Sequence, residues 1–165
     1  MIKEELSKPF IDASNAMLGL EIGLDVSMGP VTDNTKQGTS QEVNILIGVT
    51  GNVMGTVIYA MSLSTAKAIA GTMLMHEIES LDRNAQSALC ELGNMISGMA
   101  VSHFDETISD VALTPPSLVV GKDIFISILK LGCTQAQLIT NNGNVDITIA
   151  LKERAIKQEI LPQAV

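Results

Sequence analysis

Val43-Asn44-Ile45-Leu46-Ile47-Gly48-Val49, then Thr50-Gly51-Asn52, then Val53-Met54-Gly55-Thr56-Val57-Ile58-Tyr59-Ala60 is the stretch whose reading decides the fold. No charged residue occurs from 43 to 66, a length that could cross a bilayer as a helix. The interior argues otherwise. Thr50-Gly51-Asn52 is a turn sequence, and glycines at 48, 51 and 55 would each weaken a helix by about 1 kcal/mol. The flanks are rich in Val and Ile. The segment therefore reads as a buried β-hairpin and not as a membrane span. An uncharged strand at 45–49 is unsafe as a bare sheet edge, which favours a dimer.

Outward from the hairpin, landmarks recur. Asp12-Ala13-Ser14-Asn15 is followed by Gly19, and Glu91-Leu92-Gly93-Asn94 by Gly98 at the same spacing. Asp25-Val26-Ser27-Met28-Gly29-Pro30 answers to Asp110-Val111-Ala112-Leu113-Thr114-Pro115, and Gly51-Asn52-Val53 to Gly143-Asn144-Val145. The order is the same in both halves, which predicts one domain over 1–165 built from pseudo-repeats at about 1–62 and 82–152.

The elements expected are a helix over 2–18, a strand over 21–28, a polar loop at 32–40 and the hairpin. A helix over 65–76 capped by Ser64 follows, then the longest helix, capped by Asp82 and running to about 105. A strand over 110–113 stops at Pro115-Pro116, because proline cannot donate to a ladder. An extra strand is expected over 124–131. In the last hairpin Val145, Ile147, Ile149 and Leu151 alternate with Asp146, Thr148 and Lys152, the pattern of a half-buried strand. The charged tail from 152 is expected to start helical and fray. Strands joined by hairpins with helices grouped before each half make an α+β fold, a mostly antiparallel sheet with helices packed on it.

Composition narrows the function classes. Hydrophobic residues make up 46% of the chain, yet there is no Trp, one Tyr and three Phe, so the core is aliphatic and uses the nine Met. A net charge of −8 argues against nucleic acid and against anionic membranes as partners. Cys90 and Cys133 fit a reducing compartment and lack metal-site spacing, and His76 and His103 are isolated, so no metal site is expected. The first residues carry no apolar run of signal-peptide length, and a cytoplasmic location is expected. Residues 50–55 lack the Gly-Lys-Ser/Thr ending of a phosphate-binding loop, and there is no local signature of a Ser-His-Asp arrangement.

The segment from Gln86 to Met99 bears the chemistry. As a helix it places Ser87, Glu91, Asn94 and Gly98 on one stripe and Leu89, Leu92, Ile96 and Met99 on another. The second stripe is the core face. On the first, a carboxylate and a carboxamide project toward one external point. The carboxylate can grip a partner's Lys or Arg. The carboxamide does not titrate near neutrality and can hold a water in line with a phosphorus atom. Gly98 would let a partner approach closely, and Gly93 lies off the stripe, where it serves helix packing.

Ser87, three residues, Glu91, two residues, Asn94 and a later proline resembles the signature of the CheC and CheX chemotaxis phosphatases, CheX branch. Pro115 and Pro116 come slightly earlier than that pattern places its proline. The resemblance, which includes the two-half layout, implies a phosphatase acting on a phosphorylated CheY-like response regulator. It implies that Glu91 pairs with a lysine of the regulator and that Asn94 orients the water attacking the aspartyl phosphate, with Ser87 and Gly98 at the partner contact. It implies no cofactor of the chain's own, a Mg²⁺ carried by the regulator, and a homodimer. Asp12 and Asn15 repeat the acid–amide spacing, but Lys8 stands where Ser87 stands in the other copy, and a decayed site is expected. The alternatives are a non-catalytic module binding a regulator or a flagellar switch component, and a scaffold that dimerises through its sheet edges.

Overall fold

A computed structural model describes residues 4–34, 41–104, 108–128 and 131–154. Helix α1 (Glu4–Ala16) continues as a π-helical turn, Met17–Glu21. Strand β1 is Val26–Asn34, β2 Val43–Gly51 and β3 Val53–Met61. Helices α2 (Leu63–Leu74) and α3 (Arg83–Ser102) follow, then β4 (Val111–Leu113), β5 (Ser117–Val120), β6 (Cys133–Thr140) and β7 (Gly143–Glu153). This is the expected α+β fold.

The hairpin forms as its sequence dictates. β2 and β3 pair antiparallel from Val43 with Met61 to Val49 with Gly55. Val43, Ile45, Ile47 and Val49 are buried on one face with Val53, Val57, Tyr59 and Met61. Gly55 has φ +149°, and a Cβ there would lie 2.0 Å from the Ala150 carbonyl oxygen on β7. Only glycine fits this crossing of two central strands.

Every pairing in the sheet is antiparallel, in the order β1-β6-β7-β3-β2-β4 with β5 also on β2. The two hairpins meet at β3 and β7. Each is flanked by a strand distant in sequence, β1 beside β6 and β4 beside β2. β4 and β5 together cover the outer edge of β2, pairing Val49 with Leu113 and Ile45 with Leu118. The bare edge from which a dimer was argued at 45–49 is thus closed within the chain.

Other expectations need correction. Residues 1–3 lie outside the described ones, and the π-helical turn carries the first helix past 18. β1 therefore begins at Val26, not 21. It then runs through Pro30 into the expected polar loop, because it is an edge strand with a bulge between Met28 and Val31 that accommodates the proline; residues 35–40 lie outside the described ones. α2 starts at Leu63 because Ser62, not Ser64, is its cap, accepting from Thr65 N at 3.1 Å. It stops at Leu74, where Met75 turns left-handed at φ 63°. α3 ends at Ser102, with 105 outside the described residues.

Residues 124–128 join no ladder beyond an isolated bridge at Ile126; the extra strand of the second half is β5, just after the prolines. Asn141-Asn142 form the last turn, and Gly143 opens β7. Lys152 and Glu153 belong to β7, not to a helical tail, and 155–165 lie outside the described residues. Thr148, expected outward, is buried at 3% exposure alongside Ile58, Ala60 and Ala150. The helices hold the opposite face. Beyond β5, Ile124, Ile126 and Ile128 are half-buried while Phe125 and Ser127 are exposed.

Candidate functional site

α3 starts sharply because the Asp82 carboxylate accepts from Ala85 N at 2.9 Å, a cap worth about 1 kcal/mol. Its buried face is Ala85, Ala88, Leu89, Leu92, Gly93, Ile96, Ser97 and Ala100. Gly93 is required by the packing. A Cβ there would sit 2.7 Å from Ile45 Cγ2 and 3.6 Å from Tyr59 Cδ2, so the helix backbone rests almost directly on β2 and β3. Met99, expected in the core face, is half-buried at its margin.

Ser87, Glu91, Asn94 and Gly98 are all exposed on the opposite side. With 3.6 residues per turn they fall within an arc of roughly 60°. The structure thus brings the four residues into one outward stripe. The Glu91 carboxylate and Asn94 carboxamide have no hydrogen-bond or ion-pair partner among the described residues. Two strong polar groups are therefore held on a rigid helix with their bonding capacity free for another molecule. Burial pushes the neighbouring Cys90 thiol up, leaving it protonated and a poor nucleophile at neutral pH.

Asp12 and Asn15 are exposed on α1, which packs beside α3. Their setting differs from that of Glu91 and Asn94: Lys8 forms an ion pair with Asp12, and hydrogen bonding and the charge of Asp12 hold the Lys8 ammonium above its ordinary range. Pro115 and Pro116 lie between β4 and β5, both of which pack on α3. Thr114 N donates to Gly48 O at 2.9 Å there.

A groove of about 560 Å³ lies between α1 and the end of α3, lined by residues including Pro9, Ala13, Met99, His103 and Ile108. Nothing in the sequence pointed to it, because its walls come from residues some ninety positions apart. Glu91 and Asn94 do not line it. Their stripe is convex, and among the described residues no group of three His, Cys, Asp or Glu side chains is placed to hold a metal. No helix among the described residues is long and apolar enough to cross a membrane.

A convex helix that offers an acid and an amide above an antiparallel sheet suits chemistry on a group presented by another macromolecule, not on a small molecule enclosed in a cleft. The chain belongs to the CheX family: the family model described as chemotaxis phosphatase CheX matches residues 43–140. Over 91 residues it is 40% identical to the CheY-P phosphatase CheX of Thermotoga maritima, covering 52% of this chain and 59% of that relative's length. A putative chemotaxis protein from Desulfovibrio vulgaris Hildenborough has a similar structure, with a TM-score of 0.80 at 26% identity over 90% of this chain and 97% of the other. The same fold occurs in the CheX of a CheX–CheY–BeF3–Mg²⁺ complex from Borrelia burgdorferi, with a TM-score of 0.76 at 22% identity over 90% of this chain and 98% of the other.

Proposed function

We propose that this protein accelerates hydrolysis of the aspartyl phosphate on a CheY-type response regulator, terminating a chemotaxis signal in the cytoplasm. The observation that carries the reading is the free Glu91–Asn94 pair on the exposed face of a capped, closely packed helix. In the docked complex Glu91 pairs with a lysine beside the regulator's phosphorylated aspartate. Asn94 enters the regulator's site and accepts from and donates to the attacking water, aligning its oxygen with phosphorus. The water oxygen bonds to phosphorus as the P–O bond to the aspartate breaks, the aspartate is left as a free carboxylate on the regulator, and inorganic phosphate departs with the water's protons. The Mg²⁺ that screens the phosphoryl charge is the regulator's. Positioning alone can supply large accelerations when the partner already hydrolyses itself slowly.

Two further observations support docking on this stripe. A Cβ at Gly98 would meet nothing within 4 Å, so no packing inside the chain accounts for a mid-helix glycine there, whereas approach of a partner does. The name of the Thermotoga relative and the partner in the Borrelia complex point to the same substrate class. With the edge of β2 closed, the homodimer we propose uses the β1 edge, where Met28 and Val31 on one face, and Ile139 of the adjoining β6 on the other, are about half exposed.

The test is phosphate release from a Mg²⁺-loaded, phosphorylated CheY-type regulator with the wild type and Asn94→Ala in parallel. Acceleration by the wild type alone is the expected result. Binding to the phosphorylated regulator without acceleration by the wild type would replace the enzyme by a binding module.

A further inference from the structure

Beneath the exposed stripe of α3 lies a polar contact inside an aliphatic core. The Tyr59 hydroxyl on β3 and the Ser97 hydroxyl on α3 are 2.7 Å apart, and Tyr59 is 1% exposed and Ser97 0%. Desolvation pushes the phenol well above its ordinary range, with the Ser97 bond opposing, so it remains a neutral hydroxyl throughout the working pH range. The same tyrosine ring lies against Gly93, one turn earlier on α3. One side chain of the sheet therefore touches two successive turns of the helix that carries Glu91 and Asn94.

Elsewhere the buried face of α3 puts Leu89, Leu92 and Ile96 into the aliphatic core, with α1 and α2 packed along the helix as well as β2 beneath it. Hydrophobic contact is non-directional and leaves a helix some freedom to roll about its axis. An O–H···O bond is directional. Stability alone does not call for it, since Phe and Ala would fill nearly the same volume and bury no hydroxyl. We infer that Tyr59 and Ser97 are positioning residues, their bond fixing the rotation of α3 and with it the aim of Asn94 and Glu91; the inference rests on the phosphatase reading of that helix. A roll of roughly 10° moves a group about 6 Å from the helix axis by about 1 Å, and misplacement of that size in a reacting site can cost on the order of 100-fold.

The variant to make is Tyr59→Phe combined with Ser97→Ala, which removes both hydroxyls and orphans neither. Tyr59→Phe alone is the milder companion, because Ser97 can turn back to a carbonyl of its own helix. Three quantities are read: the urea midpoint, kcat for phosphate release, and residual dipolar couplings of α3 N–H groups relative to those of β2 and β3. The expected result is a urea midpoint near the wild type, kcat lowered roughly tenfold or more, and α3 couplings shifted against the sheet. Ile149→Val, a packing loss on β7 where the helices α1 and α2 rest, is expected to leave kcat unchanged. Wild-type kcat and unshifted couplings in the double variant would overturn the inference. If the wild type itself fails to accelerate release, the phosphatase reading falls separately. The couplings then decide the positioning role alone, a shift supporting it and no shift ending it.

Discussion

Lys8 and Asp12 form an ion pair one turn apart on the exposed face of α1, at the spacing that Ser87 and Glu91 hold on α3. The residue one turn before the acid decides whether its charge is already paired. On α3 the acid has a neutral hydroxyl one turn behind it and its charge is free for a partner. On α1 the acid already has a cation and is one methylene shorter, so Asn15 sits beside a neutralised group.

Asp12→Ala and Asn15→Ala, singly or together, are therefore expected to leave phosphate release within about twofold of the wild type, because Asp12 is already paired with Lys8 and Asn15 has no free acid beside it. Single-turnover release from the phosphorylated regulator measures this. A large loss in the double variant, with α3 untouched, would make α1 a second working site.

The two members of the α3 pair separate by what each variant changes. On the proposed mechanism Asn94 positions the attacking water, so Asn94→Ala is expected to lower the accelerated rate on the order of 100-fold, with little change in regulator affinity. Glu91→Gln keeps the shape and removes the charge. It is expected to weaken affinity about tenfold or more and to flatten its salt dependence, since an ion pair across an interface is screened by added electrolyte. Titration of fluorescently labelled regulator, loaded with beryllofluoride and Mg²⁺, at two salt concentrations distinguishes them. Equal effects of both variants on affinity would argue for a docking role only.

Much of the geometry of the candidate site is legible because its signals are local. The Asp82 cap, the buried face of α3 and the outward stripe all follow from helical periodicity and a capping residue within one segment. The β2–β3 hairpin was legible for the same reason, its turn residues breaking an otherwise uniform apolar run. What was hidden depends on contacts between distant segments. Pro30 reads as a strand end but is tolerated in β1, because that strand is an edge with a bulge. The segment 124–131 reads as a strand, yet its described residues carry only an isolated bridge at Ile126, and the added strand is β5. Tyr59 and Ser97 carry no motif at all, and the cover that β4 and β5 give to β2 depends on pairing between segments about seventy residues apart.

Gly93→Ala tests how closely α3 rests on the sheet. Helix propensity alone would favour alanine by about 1 kcal/mol. The new Cβ, however, would lie 2.7 Å from Ile45 Cγ2, a branch on a stiff β-carbon in a central strand that cannot swing away. Overpacking of this kind costs about 1–3 kcal/mol. The variant is expected to be less stable in urea denaturation and slower in phosphate release, because lifting the helix shifts the acid and the amide together. An unchanged or raised midpoint would show that the interface has more slack than its geometry implies.

Gly98→Ala makes the opposite case. Nothing lies within 4 Å of a Cβ at that position, so alanine meets no obstacle in the isolated chain and gains the helix preference of about 1 kcal/mol. The urea midpoint is expected to rise. If the stripe is the docking face, the added methyl also stands between α3 and the regulator, and affinity for beryllofluoride-loaded regulator should fall, more steeply for Gly98→Leu than for Gly98→Ala. A residue kept for folding would lose stability on substitution and a neutral surface position would change neither quantity. Higher stability with weaker regulator binding is the combination that a glycine held for partner contact alone predicts, while higher stability with undiminished binding would remove Gly98 from the interface.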